Sequence, residues 1–283
     1  MIEREDFQEL QGYLKPASEY GIDAEYAWTI PGGTGKNVTI TDIEYATWNL
    51  DHEDLKGTRI CFAQNGSGLP FDFTDDHGSG VIGVMVSNDN GFGMKGVVHD
   101  ASLLVINHAN SEQNFAAAIA SAIEEAMSRL NPGDVVLIEA NTDGQNGVVE
   151  HERPVYDAIV KAVAAGLIVL ETAGNGGANL DDAPTFGDSG AIFVGGGTSA
   201  KTMTPLAPMN LNYGSRIDLQ AGGRMWRRSG AVDSPAITPR RATTWLIPES
   251  ARMKARRIVR TSLTATTSRA LPARARSWPA LQQ

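Results

Sequence analysis

Short runs of β-branched and aliphatic residues alternate with alanine-rich stretches along most of the chain. The runs predict five strands, at residues 38–43, 102–107, 134–141, 167–172 and 191–195. Between them, residues 81–87, 115–129 and 154–165 predict helices. Strands that are apolar on both sides and separated by helices are typical of a parallel sheet covered on both faces. The pattern therefore predicts an α/β fold with a mainly parallel sheet flanked by helices.

The helix predicted at residues 115–129 shows the clearest periodicity. Its apolar residues include Ala116, Ile119, Ala120 and Ile123, which lie on one face of a helix. In a parallel sheet the loops after the strands carry the chemistry. Polar residues Asp42, Asn141 and Asn175 stand at such strand ends or just beyond them.

Composition excludes several classes of protein. A chain of 283 residues with 42% hydrophobic content can build a large core. Its single cysteine, Cys61, cannot close an internal disulfide. No stretch approaches the roughly 20 apolar residues of a transmembrane helix, so no membrane partner is expected. The first residues are acidic and lack the basic and apolar regions of a secretory signal, and the compartment stays unassigned.

Charge divides the chain at about residue 220. Residues 1–220 carry 31 acidic and 11 basic side chains, whereas residues 221–283 carry 2 acidic and 13 basic ones. Arginine, alanine, threonine, serine and proline dominate the second region, which contains three of the five tryptophans. From composition alone this region is a disordered basic tail or an arm for nucleic acid or an acidic partner.

Three polar residues in the first region suggest catalysis when they are taken together. Asp42 lies in the first predicted strand, His77 precedes a helix in Asp75-Asp76-His77-Gly78-Ser79-Gly80, and Asn175 follows a strand in Ala173-Gly174-Asn175-Gly176. Each has an ordinary structural interpretation, because strand ends, helix starts and turns favour these residue types. The order of the three carries the functional signal.

In that order, the three segments resemble the subtilisin-like serine peptidases over about residues 18–220. Asp42 falls on the catalytic Asp of that family, His77 on the catalytic His, and Asn175 on the oxyanion-hole Asn. The segment Asp51-His52-Glu53-Asp54-Leu55 resembles the His-x-Asp-Leu that usually follows the Asp. The chain order of Asp before His also agrees with that family.

The resemblance implies a serine endopeptidase that hydrolyses peptide bonds. His77 would act as general base, Asp42 would orient it, and Asn175 would stabilise the developing oxyanion. The family's substrates are peptides or proteins, bound by backbone pairing near residues 138–144. No cofactor and no metal ligand are predicted. Only the loop with Asn88, Asp89 and Asn90 offers oxygen ligands, a weak indication of calcium.

The family's nucleophile motif, Gly-Thr-Ser-x-Ala-x-Pro, is absent from this chain. The nearest substitute is Gly197-Thr198-Ser199-Ala200, but Lys201 and Met203 occupy the positions of the Ala and the Pro. This segment also follows Asn175 too closely, so it is interpreted as a turn. The sequence therefore predicts no nucleophilic serine in frame.

The basic region has a third interpretation when it is read one frame over. Gln220 through Trp226 can then encode Gly-Trp-Gly-Glu-Asn-Val, in which the Val is forced because Met and Trp each have one codon. Ser268 through Gln283 can encode a string that contains Gly-Thr-Ser-(Gly or Ser)-Ala-Ser-Pro, which is the missing motif. Two family strings in one frame and in the correct order indicate a single-base deletion near the Gln220 and Ala221 codons.

The sequence thus predicts a truncated peptidase domain at residues 1–220 and an out-of-frame, disordered basic tail at residues 221–283. No nucleic-acid partner is expected, because codons read out of frame account for the arginine content. As written, the chain is predicted to be inactive. The alternative is a non-catalytic pseudo-enzyme or a peptide-binding body with a functional basic tail. The oligomeric state is not predicted.

Overall fold

The structure is a computed structural model that describes residues 5–44, 48–62, 77–108, 114–142, 147–182, 186–197 and 211–222. The predicted disorder of the basic tail therefore concerns residues that lie outside the described ranges, apart from Ala221 and Gly222. The described ranges also exclude Ser199 and residues 143–146.

Within the described ranges, seven parallel strands form one sheet in the order β2-β3-β1-β4-β5-β6-β7. Their bounds are β1 Thr39–Glu44, β2 Ile60–Phe62, β3 Ser102–Asn107, β4 Val135–Glu139, β5 Ile168–Thr172, β6 Ile192–Gly197 and β7 Leu219–Gly222. The register pairs Glu44 with Glu139 and with Asn107. The carboxyl ends of the neighbouring strands β3, β1 and β4 thus lie side by side.

Helices connect the strands. The α-helices are α1 Ala24–Ala27, α2 His77–Val86, α3 Phe115–Arg129 and α4 Arg153–Ala164. Short 3₁₀ helices lie at Gln8–Leu10, Gly12–Leu14, Ala17–Glu19, Glu53–Leu55, Val149–His151 and Leu180–Asp182. Asn114 caps α3, because its side chain accepts a hydrogen bond from the Ala117 amide. None of the helices in the described residues is long and apolar enough to cross a membrane.

Helices cover both faces of the sheet, as predicted. On one face, Ile82 and Val86 of α2 pack against Leu103 and Val105 of β3. On the other face α3 and α4 pack against the residues that alternate with these, Leu104 and Ile106 among them. Successive side chains of a strand point to opposite faces, so β3 contributes side chains to the hydrophobic core on each face of the sheet.

All five predicted strands are present, and their ends differ from the predictions by at most two residues. The α3 prediction matches the observed helix, α4 begins and ends one residue early, and α2 begins four residues earlier, at His77. Two strands were missed, β2 and β7. Both are short and lie at the edges of the sheet, where little burial imposes an apolar run on the sequence.

Candidate active site

Three carboxylate side chains meet at the carboxyl ends of β1 and β4. Asp42 and Glu44 are two residues apart on β1, so both point to the face that α2 covers, and Glu139 is the last residue of β4. Asp42 and Glu44 are almost fully buried, whereas the Glu139 side chain is 22% exposed. No arginine or lysine forms an ion pair with these three within the described residues.

His77, the first residue of α2, approaches two of these carboxylates. Its Nδ1 lies 2.9 Å from Glu44 Oε2, and its Nε2 lies 3.8 Å from Glu139 Oε2. The imidazole is 60% exposed and the Glu44 side chain 2% exposed. A buried carboxylate on Nδ1 beside an accessible Nε2 is the arrangement that orients a catalytic histidine.

The structure places Asp42 differently from the prediction. Asp42 Oδ2 accepts a hydrogen bond from Trp48 Nε1 at 2.8 Å, and Oδ1 is buried with no hydrogen-bond partner. The carboxylate at hydrogen-bond distance from His77 Nδ1 is that of Glu44, two residues further along β1. Because the strand alternates, both residues reach the same face, but the longer side chain at the strand end reaches the start of α2. Glu44 was not among the predicted site residues, although this alternation places it on the same face of the strand as Asp42.

The electrostatics of the group follow from burial. The hydrogen bond to Glu44 raises the pKa of His77 to about 9, with help from the charges of Glu44, Glu139 and Asp42 and against the effect of burial. Burial raises the pKa of Glu139 to about 7, and the Glu44 charge adds to it. Burial also raises the pKa of Asp42 well above its usual value. Asp42 thus lies beneath the Glu44–His77 pair in surroundings that oppose its ionisation.

Ser79 fixes the segment that follows β1 against α2. Its hydroxyl accepts a hydrogen bond from the Asn49 amide at 2.8 Å. Trp48, which donates to Asp42, is held next to this anchor. The Asp42 and His77 segments are thereby tied together even though their side chains make no hydrogen bond with each other.

Asn175 lies in the turn after β5, at the same edge of the sheet. Gly174 has a φ of +81°, which glycine adopts without strain, and Asn212 holds the turn by bonding to the carbonyl of Ala173 and by donating its amide to Gly174. The exposed Asn175 side chain accepts a long contact of 3.5 Å from Asn141 Nδ2. Its amide group is thus available at the edge where His77 lies.

The loop after α2 was the calcium candidate of the sequence analysis. In the structure, Asn88 Oδ1 accepts from Thr58 Oγ at 2.9 Å, Asp89 pairs with Lys95 at 2.7 Å, and Asn90 Oδ1 accepts from the Phe92 amide. The oxygens of Asp54 nearby accept from Asn90 and from the Met94 amide. These oxygens accept from protein donors or pair with Lys95, and calcium binding by the loop stays a prediction.

Residues 41–246 match the family profile described as the subtilase family, Peptidase S8. The chain belongs to this family. The match extends past residue 220, so it does not coincide with the predicted domain boundary, which stays a prediction. The seven-stranded parallel sheet with helices on both faces agrees with the subtilase fold.

Curated and solved subtilases are similar to this chain. An intracellular serine protease of Paenibacillus polymyxa is 28% identical over 226 residues, which cover 76% of this chain and 65% of the relative. The minor extracellular protease Epr of Bacillus subtilis is 26% identical over 55% of this chain and 22% of its own length. The chain thus spans less than two thirds of either relative.

Among solved structures, a protease of Pseudoalteromonas arctica superimposes with a TM-score of 0.56 at 20% identity, over 79% of this chain and 73% of the other. At that identity the likeness shows the fold. The roles of single residues depend on the geometry described above.

Proposed function

We propose that this chain comes from a serine endopeptidase lineage in which His77 is the general base and Glu44 is the carboxylate that orients it. The observation that supports the proposal is the 2.9 Å contact between His77 Nδ1 and the buried Glu44 Oε2, in a chain of the subtilase family. The carboxylate holds the imidazole in one tautomer and stabilises the imidazolium that forms when the base takes a proton. Peptides or proteins are the proposed substrates.

Asn175 is the proposed oxyanion donor. Its amide lies in an exposed turn at the same sheet edge as His77, held by the hydrogen bonds of Asn212. An amide donor at the developing oxyanion is worth about 10²- to 10³-fold in kcat. The neighbouring strand end at residues 138–142 supplies backbone groups for an extended peptide.

The chain as written is proposed to be inactive. It has no Gly-Thr-Ser-x-Ala-x-Pro motif, and without the nucleophile the remaining groups supply only a small residual catalysis. The frame-shifted reading of residues 220–283 supports a single-base deletion as the origin of this loss. The second candidate, a pseudo-enzyme that binds peptides, keeps the same His77–Glu44 pair without chemistry.

Sequencing the DNA across the Gln220 and Ala221 codons from an independent template tests the deletion. One additional base would restore the reading frame and the serine motif. In parallel, a fluorophosphonate probe that labels active serines is applied to the expressed 283-residue chain and to the product of a gene with the base inserted. We expect labelling of the second protein only, and its loss in a His77→Ala variant. Labelling of the 283-residue chain would refute the missing nucleophile.

If the frame-restored protein is active, Asn175→Ala should lower its kcat by about 10²- to 10³-fold while substrate binding changes little. Asn141→Ala is the matched control, because it removes an amide from the same edge. Equal losses in the two variants would contradict the oxyanion role of Asn175.

A further inference from the structure

The three side chains that meet at His77 also have the composition of a metal site. Glu44, His77 and Glu139 each offer one ligand atom, and these atoms lie within 4.8 Å of one another. One imidazole nitrogen and two carboxylate oxygens are a ligand set that suits zinc, in which three protein ligands leave a fourth position open. Calcium and magnesium prefer sites built from oxygen alone.

Glu44 supplies an independent indication. The residue is 1% exposed, and its Oε1 is buried with no hydrogen-bond partner. A buried carboxylate oxygen without a donor is costly, and a bound cation would satisfy it. Within the described residues no lysine or arginine contacts Glu44, Asp42 or Glu139, so no permanently charged side chain occupies the position of the ion.

The geometry requires only small movements. A tetrahedral zinc ion with bonds of about 2.0–2.2 Å places its ligand atoms roughly 3.4 Å apart. Glu44 is fixed by burial, whereas His77 is 60% and Glu139 22% exposed, so the two that must move are the two with room to do so. Rotation of these two side chains that moves their ligand atoms by about an ångström brings the three ligand atoms to the distances that zinc requires.

We propose that Glu44, His77 and Glu139 bind one zinc ion. The ion would occupy the imidazole lone pair that a general base needs, so bound zinc would inhibit peptide hydrolysis. That consequence rests on the proposed function, but the metal site itself does not. The sequence predicted no metal ligands, because Glu139 lies 62 positions after His77 and only the packing of α2 on the paired strands β1 and β4 brings the two together.

Calorimetric titration of the 283-residue chain with ZnCl₂ tests the site without any need for activity. The titration uses a Cys61→Ser background, because the free thiol of Cys61 is exposed and would bind zinc itself. The five histidines all precede residue 152, so the basic tail adds no imidazole ligand. Co²⁺ replaces zinc in a second titration, and its absorption spectrum reports the number of ligands.

We expect one saturable zinc per chain, with affinity lost in His77→Ala and at least 10-fold weaker in Glu139→Gln. The matched controls are His99→Gln, at the opposite edge of the sheet before β3, and Glu152→Gln, on an exposed helix start. Both should bind zinc as the parent does, and CaCl₂ should give no saturable binding. Circular dichroism verifies that each variant is folded. Absence of saturable zinc binding, or undiminished binding in folded His77→Ala, would overturn the proposal.

Discussion

Two groups of largely buried carboxylates in the described residues differ in the cation that faces them. At the ends of β1 and β4, His77 is the one cationic side chain among the described residues that faces Asp42, Glu44 and Glu139. Near β5, Glu150 and Glu171 lie beside Arg216, which holds Glu150 with both Nε at 3.0 Å and Nη2 at 2.9 Å. Arg216 also pairs with Asp218 and stacks on the Phe193 ring at 3.9 Å.

The difference separates a structural group from a chemical one. A guanidinium stays charged at every accessible pH and its fork matches a carboxylate, so Arg216 stabilises its group permanently. An imidazole gains and loses its proton near neutral pH, and one of its nitrogens here is accessible. The Arg216 group therefore favours a fixed fold, whereas the His77 group favours proton transfer or metal binding.

Replacing the permanent cation should give the largest loss of stability. Arg216→Met leaves Glu150 and Asp218 without the guanidinium that pairs with them, and their side chains are only 3% and 12% exposed. We expect the free energy of unfolding to fall by about 3–5 kcal/mol, measured by urea denaturation at pH 7. Arg153→Met, in the exposed pair with Asp157, is the control and should change stability little. A fall as small as that of the control would contradict the comparison.

Glu171→Gln should give the next largest change in the free energy of unfolding, and this change depends on pH. Burial raises its pKa to about 8, so the folded state holds a proton that the unfolded state releases above about 4.5. The stability that this proton provides is present below pH 4.5 and is lost as pH rises through 8. Glu171→Gln mimics the protonated form and should stabilise the protein by on the order of 2 kcal/mol at pH 9, with no change at pH 4. Urea denaturation at the two pH values, with exposed Glu152→Gln as control, measures the difference. A loss of stability at pH 9 would contradict the assignment of a neutral Glu171.

The identity of the orienting carboxylate can be decided by the titration of His77. Its pKa of about 9 depends first on the hydrogen bond to Glu44. Glu44→Gln should therefore lower the pKa toward 6.5, whereas Asp42→Asn should change it less, because Asp42 acts on His77 through its charge alone, without a hydrogen bond. ¹⁵N NMR of the imidazole between pH 5 and 10 reads the pKa directly. A larger decrease in Asp42→Asn would restore the role that the sequence analysis gave to Asp42.

The smallest effect concerns stability near the candidate site. The pKa of His77 is raised on folding, so its contribution to stability is complete below about pH 6.5 and is lost as pH rises through 9. The imidazole is 60% exposed, and solvent screening keeps this contribution small. His77→Ala should flatten the pH dependence between 6.5 and 9 with little change at pH 9. A slope that is unchanged in His77→Ala would assign the dependence to other groups.

Most of the sheet was predictable because burial on two faces leaves a strong local pattern. The strand Ser102–Asn107 and the helix Phe115–Arg129 match their predictions because each is bounded by polar residues and fills a core. The edge strands β2 and β7 carry no such pattern. The candidate site was predicted in part, since His77 and Asn175 lie at one sheet edge while Asp42 lies beneath it.

The sequence by itself determined the fold class, the family and the absence of the serine motif, because each is written in a run of neighbouring residues. Only the tertiary structure decided which carboxylate meets His77. Asp42 and Glu44 share a face of β1. Which of them contacts His77 depends on where α2 begins and on Trp48, whose Nε1 donates a hydrogen bond to Asp42. Glu139 joins them through strand pairing across 95 residues of chain. Such proximity depends on packing between distant segments, which no local pattern encodes.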